Sequence, residues 1–123
     1  GQLQACEIYQ FKLPKTRLVV LSACQTGVER VYRGEGAVGL ARPFIAAEVP
    51  LVIASFWPVE SNSTASLMND FHHRRRGANP QERLATAAAL RQTQLAMLRN
   101  PDQRYQHPYY WAAFAIIGGD ARF

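Results

Sequence analysis

The run Arg17-Leu18-Val19-Val20-Leu21-Ser22-Ala23-Cys24-Gln25-Thr26-Gly27 constrains this chain more than any other segment. Leu18 to Leu21 leaves no position for water, which predicts a strand buried on both faces, as in parallel sheets. Gln25-Thr26-Gly27 cannot continue such a strand. The thiol of Cys24 is therefore expected at the carboxyl end of a core strand, where open α/β sheets keep their ligand crevices. A rigid element with an exposed tip holds a nucleophile well. The ordinary fate of a free cysteine is burial as a small hydrophobe, and spacing alone does not separate the two readings.

Two more apolar runs follow. Leu51-Val52-Ile53-Ala54-Ser55-Phe56-Trp57 is predicted as a second continuous strand, stopped by Pro58. Ala112 to Ile117 is predicted as a third, stopped by Gly118-Gly119. Helical periodicity lies between them. Gly34-Glu35-Gly36 opens a helix through about Glu48, with Val38, Ala41, Ile45 and Val49 on its buried face. Pro43 falls inside this helix and should kink it. Ser61 to Arg76 is the next helix. Ser61 and Asn62 are expected as caps, Thr64, Leu67, Met68 and Phe71 along one side, and Gly77 at the C-terminal cap. Asn79-Pro80-Gln81-Glu82 is a helix start, with Asn79 capping and Glu82 reaching back. That helix should run to about Arg99 with Leu84, Ala87, Ala88, Leu95 and Leu98 buried. Residues 1 to 16 read as a polar lead-in with a helical stretch near Glu7 to Phe11, ended by Pro14. Strands alternating with helices argue a parallel sheet with helices on its faces. Three strands are few for such a sheet, so the pattern reads as the back part of a larger α/β/α domain.

The bulk numbers bound the partners. The chain has 123 residues, enough for one modest domain, and its 48% hydrophobic and 19% charged residues are those of a folded protein. Net charge is +5, and all fourteen cations but Lys12 and Lys15 are arginines. The one run, Arg74-Arg75-Arg76, closes a predicted helix, where the helix dipole favours cations. The rest are scattered, so no nucleic-acid partner is expected. Cys6 and Cys24 make neither a metal pattern nor a disulfide framework, and no metal or cofactor is expected. Sparse cysteine fits a reducing, cytoplasmic setting. No apolar run approaches the roughly 18 residues of a membrane span, and no membrane partner is expected.

Five segments carry a resemblance. They are Leu18 to Gly27 (LVVLSACQTG), Gly34 to Arg42 (GEGAVGLAR), Ala54 to Val59 (ASFWPV), Ala88 to Leu98 (AALRQTQLAML) and His107 to Phe114 (HPYYWAAF), in that order. Together they resemble the C-terminal part of a CHAT domain, the caspase-like domain commonly found beside tetratricopeptide repeats. The resemblance runs from about Leu3 onward. It implies a three-layer α/β/α caspase-haemoglobinase-like fold, with a mostly parallel sheet whose front strands are missing from this chain. It also implies a Cys/His dyad. Cys24 matches the nucleophile of the family's S-A-C-E-T-G motif. Gln25 stands where the family usually has Glu, and Gly27 closes the motif; both lie beside the site. Pro43 departs from the small helix former common at its position. The implied partners are a protein or peptide substrate and, elsewhere in the full-length protein, tetratricopeptide repeats.

A free thiol is mostly protonated at neutral pH, so a base must favour the thiolate and an acid must protonate the leaving amine. In caspase relatives the histidine lies about 50 residues before the cysteine. No histidine precedes Cys24 here, which implies a fragment or a degenerate copy. His72 and His73 read as solvent-facing residues at a helix end, and His107 as fixing the entry to the last strand. The backbone N–H of Cys24 remains one oxyanion donor. Trp57 and Glu60 follow the second strand at its carboxyl end and are candidates for the substrate crevice. Against this, Trp57 packs as core and Glu60 supports the helix start at Ser61 through the dipole. Tyr109, Tyr110 and Trp111 read as packing at the start of the third strand rather than as a base-stacking platform.

Overall fold

The computed structural model of the protein describes residues 4–22 and 39–119. These residues form two compact units. The first holds residues up to Pro58 together with Phe114–Gly119, and the second runs from Val59 to Ala113.

The first unit is built on a three-stranded sheet of β1 (Val19–Leu21), β2 (Leu51–Ser55) and β3 (Phe114–Gly118), in the order β1-β2-β3. β2 is central and every one of its residues is buried. This is what a run without a polar alternate demands. β1 pairs with β2 in parallel, with Leu21 opposite Ala54. β3 pairs antiparallel, with Ser55 opposite Phe114 and Leu51 opposite Gly118. The expectation of a mostly parallel sheet therefore holds for β1 and fails for β3. The chain leaves β2 at Ser55 and re-enters the sheet beside that same residue, and a strand that starts where its neighbour ends must run backwards. The expectation that β1 is buried on both faces also fails. Its three residues are half-buried, because among the described residues β1 has a neighbour on one side only.

Helices α1 (Ala5–Ile8) and α2 (Ala41–Ala46) complete this unit. α1 lies earlier than the Glu7 to Phe11 stretch. Its first turn is closed by the Glu7 carboxylate, which accepts from the Gln4 amide at 2.7 Å. Pro43 does not kink α2. It sits in the first turn, where the missing N–H has no partner to lose. Ala41 and Val49 are buried as expected, whereas Ile45 is 39% exposed. The helix ends at Ala46, too short to carry a four-position stripe. Ala41, Val49, Val52 and Ala54 form a buried cluster on which Leu13, Val19, Leu21, Phe44 and Ile117 pack. After α2 the chain turns through Glu48, a non-glycine residue at φ 71°. Val38 and the Gly34-Glu35-Gly36 turn lie outside the described residues.

The second unit is helical. α3 (Ser61–Arg76) keeps its predicted bounds. Thr64, Leu67 and Phe71 are buried on one side, and Met68 is half-buried beside them. Gly77 follows at φ 62° and ψ 167°, its amide donating to the His73 carbonyl at 3.1 Å. That backbone region is open essentially to glycine alone. The Asn79 side chain accepts from the amides of Gln81 and Glu82 at 3.0 and 3.1 Å, with Pro80 in the first turn. This start does not run on to Arg99. It closes a single 3-10 turn, Pro80–Glu82, and the backbone is extended at Arg83 before α4 (Thr86–Leu98) begins. The restart turns the buried face to Thr86, Ala89, Leu90, Thr93 and Met97. Ala87 is exposed and Leu98 is 43% exposed, contrary to the expected stripe. Among the described residues no helix is long and apolar enough to cross a membrane.

The chain then forms a 3-10 turn over Gln103–Gln106 and a short helix α5 (Pro108–Trp111). Tyr109, Tyr110 and Trp111 therefore belong to a helix and not to the start of β3. His107 caps that helix, its Nδ1 accepting from the Tyr109 amide at 3.2 Å. The Trp111 indole N–H donates to the Gln106 carbonyl at 2.9 Å. Tyr105, Tyr109 and Tyr110 meet edge to face, with centroids 5.3 and 5.1 Å apart, a preferred arrangement of aromatic quadrupoles.

Candidate functional site

The parallel pairing of β1 with β2 sets the geometry of the site. Leu21 and Ala54 are opposite each other, so the chain leaves both strands at one end of the sheet. That is the carboxyl end, where parallel sheets open their crevices. Beyond β2 this end is followed by Phe56, half exposed at 50%, and by half-buried Trp57. Beyond β1 it is followed by Ser22. Cys24, Gln25 and Gly27, the three site residues predicted from the S-A-C-Q-T-G segment, lie outside the described residues.

Trp57 and Glu60 fall in different compact units. Glu60 is the N-cap of α3, so Ser61 and Asn62 are not the caps. Its Oε2 accepts from the Ser63 amide at 2.7 Å and its Oε1 from the Asn62 amide at 3.1 Å. The Ser63 amide first, and then the Ser63 hydroxyl, hold the Glu60 carboxyl below the usual glutamate range, with smaller help from the Asn62 amide and the Arg104 charge. A carboxylate at this end also meets the positive end of the helix dipole. Ordinary cap preferences, which favour Ser and Asn over Glu, pointed one residue too late.

The three histidines stand on α3 and before α5. His73 is exposed, as expected. His72 departs from the expectation of a solvent-facing residue. It is half-buried, its Nδ1 is shielded from water and holds no hydrogen bond, and its ring lies 4.9 Å from that of fully buried Phe71. Burial foremost, then the charges of Arg75 and Arg76, push its pKa below the ordinary histidine value. Among the described residues no group of three or more His, Cys, Asp or Glu side chains is placed to hold a metal ion.

A three-stranded sheet with one parallel and one antiparallel pair, its strands interleaved with helices along the chain, defines a mixed α/β protein. Comparison with known proteins narrows the class to one family. The CHAT domain model matches residues 1–119, and the chain belongs to the CHAT domain family. Tetratricopeptide repeat protein 28 of Homo sapiens is 28% identical over 120 residues, which is 98% of this chain and 4% of that protein. Tetratricopeptide repeat protein 28 of Mus musculus is 30% identical over 120 residues, with the same coverage. The chain thus spans about 4% of the length of the curated relatives it matches. No solved structure matches it.

Proposed function

We propose that this chain is the nucleophile-bearing part of a caspase-like cysteine endopeptidase, with Cys24 as the nucleophile. The observation that carries the reading is the family match across residues 1–119, a span that includes the S-A-C-Q-T-G segment. The parallel β1–β2 pair supports it, because Cys24 follows Leu21 by three residues in sequence. The whole domain is read as a three-layer caspase-haemoglobinase-like fold.

The chemistry is peptide-bond hydrolysis in two steps. The Cys24 thiolate attacks the scissile carbonyl carbon, and a C–S bond forms as the C–N bond breaks. An imidazolium delivers the proton to the leaving amine. Water then hydrolyses the thioester, returning the thiol and releasing the acid. The histidine comes from residues other than the 23 before Cys24, none of which is histidine. The Cys24 amide supplies one oxyanion donor. Trp57 forms a wall of the crevice. Glu60 is left to α3, whose first turn uses both its oxygens. The substrate is a protein or peptide. The name of the relatives supports tetratricopeptide repeats in the full-length protein, where they govern access to the crevice.

The test is a thiol-directed peptidyl probe applied to the protein expressed with its natural flanking sequence. Label mapped to Cys24, and lost in Cys24→Ala, is the expected outcome. A folded protein that takes no label at Cys24 refutes the proposal. A second reading, a catalytically inactive module acting in protein interaction or signalling, is favoured by Gln25 and by the lack of a histidine before Cys24. The codons upstream of Gly1 separate the two. A strand ending in His-Gly about 50 residues before Cys24 counts against the inactive module.

A further inference from the structure

Where α3 ends in the second unit, cations from two separate elements meet. Arg74, Arg75 and Arg76 close the helix. Gly77, at φ 62°, then turns the chain so sharply that a Cβ on it would lie 2.8 Å from the Arg83 amide nitrogen. The Arg83 backbone is thereby brought back to the end of α3, and Arg76 and Arg83 are both exposed. The helix dipole accounts for cations in the last turn of α3. It does not account for Arg83, whose backbone is extended and stands outside the helix.

The nearby acids are already engaged. Asp70 Oδ2 pairs with Arg74 Nε at 2.8 Å. Glu82 serves its own turn, its Oε1 accepting from the Asn79 side-chain amide at 2.9 Å and its Oε2 from the Ala78 amide at 3.2 Å. Among the described residues Arg76 and Arg83 form no ion pair. Like charge is crowded here: burial first, and then the Arg76 charge, pull the Arg75 guanidinium below the ordinary arginine pKa. The side chains decide the partner's chemistry. Residues 59–113 contain no lysine, and a guanidinium, unlike an ammonium, takes a carboxylate through two parallel N–H···O bonds. Two guanidiniums without a counter-ion match two carboxylates on one short segment. A nucleic acid asks for more, a track of cations along its phosphates and open aromatic faces for unpaired bases. The tyrosines of this unit are instead turned on one another, edge to face. We propose that the end of α3 marked by Arg76 and Arg83 is a docking surface for an acidic protein segment, and that these two arginines hold its carboxylates.

The experiment is fluorescence anisotropy of a labelled hexaglutamate peptide titrated with the 123-residue chain at low salt. Binding should saturate, and should weaken about tenfold in the double variant Arg76→Gln, Arg83→Gln. The double variant Arg42→Gln, Arg99→Gln removes the same charge from exposed arginines elsewhere and should weaken binding less than about threefold. All four side chains are exposed, so both variants should melt like wild type. Three results overturn the proposal. The folded wild-type chain shows no saturable binding. The two double variants lose affinity equally, which leaves only the net charge. An oligothymidylate of the same charge binds more tightly than the peptide, which gives the surface to nucleic acid.

Discussion

Single residues hold the turns of this protein, and two of them carry direct tests. Gly77 stands at φ 62°, and a Cβ there would come within 2.7 Å of the Glu82 carbonyl carbon and 2.9 Å of the Asn79 carbonyl oxygen. Those neighbours are backbone and cannot swing away. Gly77→Ala should therefore lower stability by about 1–3 kcal/mol, read from urea unfolding midpoints. A change within about 0.5 kcal/mol would mean that the turn after α3 is not held as described. His72 gives a pH dependence. Its pKa is depressed in the folded state, so the unfolded chain binds more protons near the ordinary value of about 6.5. Its contribution is fully present above that value and is lost as pH falls below it. His72→Leu removes both the orphaned Nδ1 and the titration. The variant should gain on wild type as pH drops from 7.5 to 5, in paired thermal melts. A constant difference across that range would contradict the account.

At the scale of elements, some features were legible and others were not, for reasons that can be named. The bounds of α3 were readable because Gly77 stops it and its buried Leu67 and Phe71 keep helical spacing. β2 was readable because Leu51 to Ala54 is apolar without a break. The direction of β3 was not, because direction is set by where the chain returns to the sheet, and a strand's composition carries no sign of that. The start of α4 was missed because Asn79-Pro80-Gln81-Glu82 is equally good chemistry for one isolated turn. Once the helix restarts at Thr86, its inward stripe includes two threonines, Thr86 and Thr93, which a search for apolar periodicity passes over. The central and edge strands should differ in their sensitivity to truncation. Ile53 is fully buried, and Ile53→Ala should cost about 2–5 kcal/mol. Val20 on half-buried β1 should cost less when changed to Ala, on the order of 1 kcal/mol. Equal losses in denaturant titrations would contradict the assignment of β2 as the centre.

For the molecule as a whole, family and chemistry rest on different supports. Family membership follows from a match over 119 of 123 residues, and the mixed sheet is compatible with it. The motifs that carried the resemblance were visible in the sequence because five short segments stand in a fixed order along the chain. The proposed peptidase chemistry rests on Cys24. In the sequence it stands three residues beyond the apolar run that ends at Leu21, before the polar Gln25-Thr26-Gly27. No run of residues reveals whether a distant histidine completes it, since that pairing is made in space.

The most direct measurement is the pH dependence of iodoacetamide alkylation at Cys24, in a Cys6→Ser background and with the natural flanking sequence present. A thiol beside a histidine base should titrate below the free-cysteine value of about 8.5 and react faster than free cysteine at neutral pH. A midpoint at or above that value, or a thiol that stays unreactive until the protein unfolds, would contradict the peptidase account.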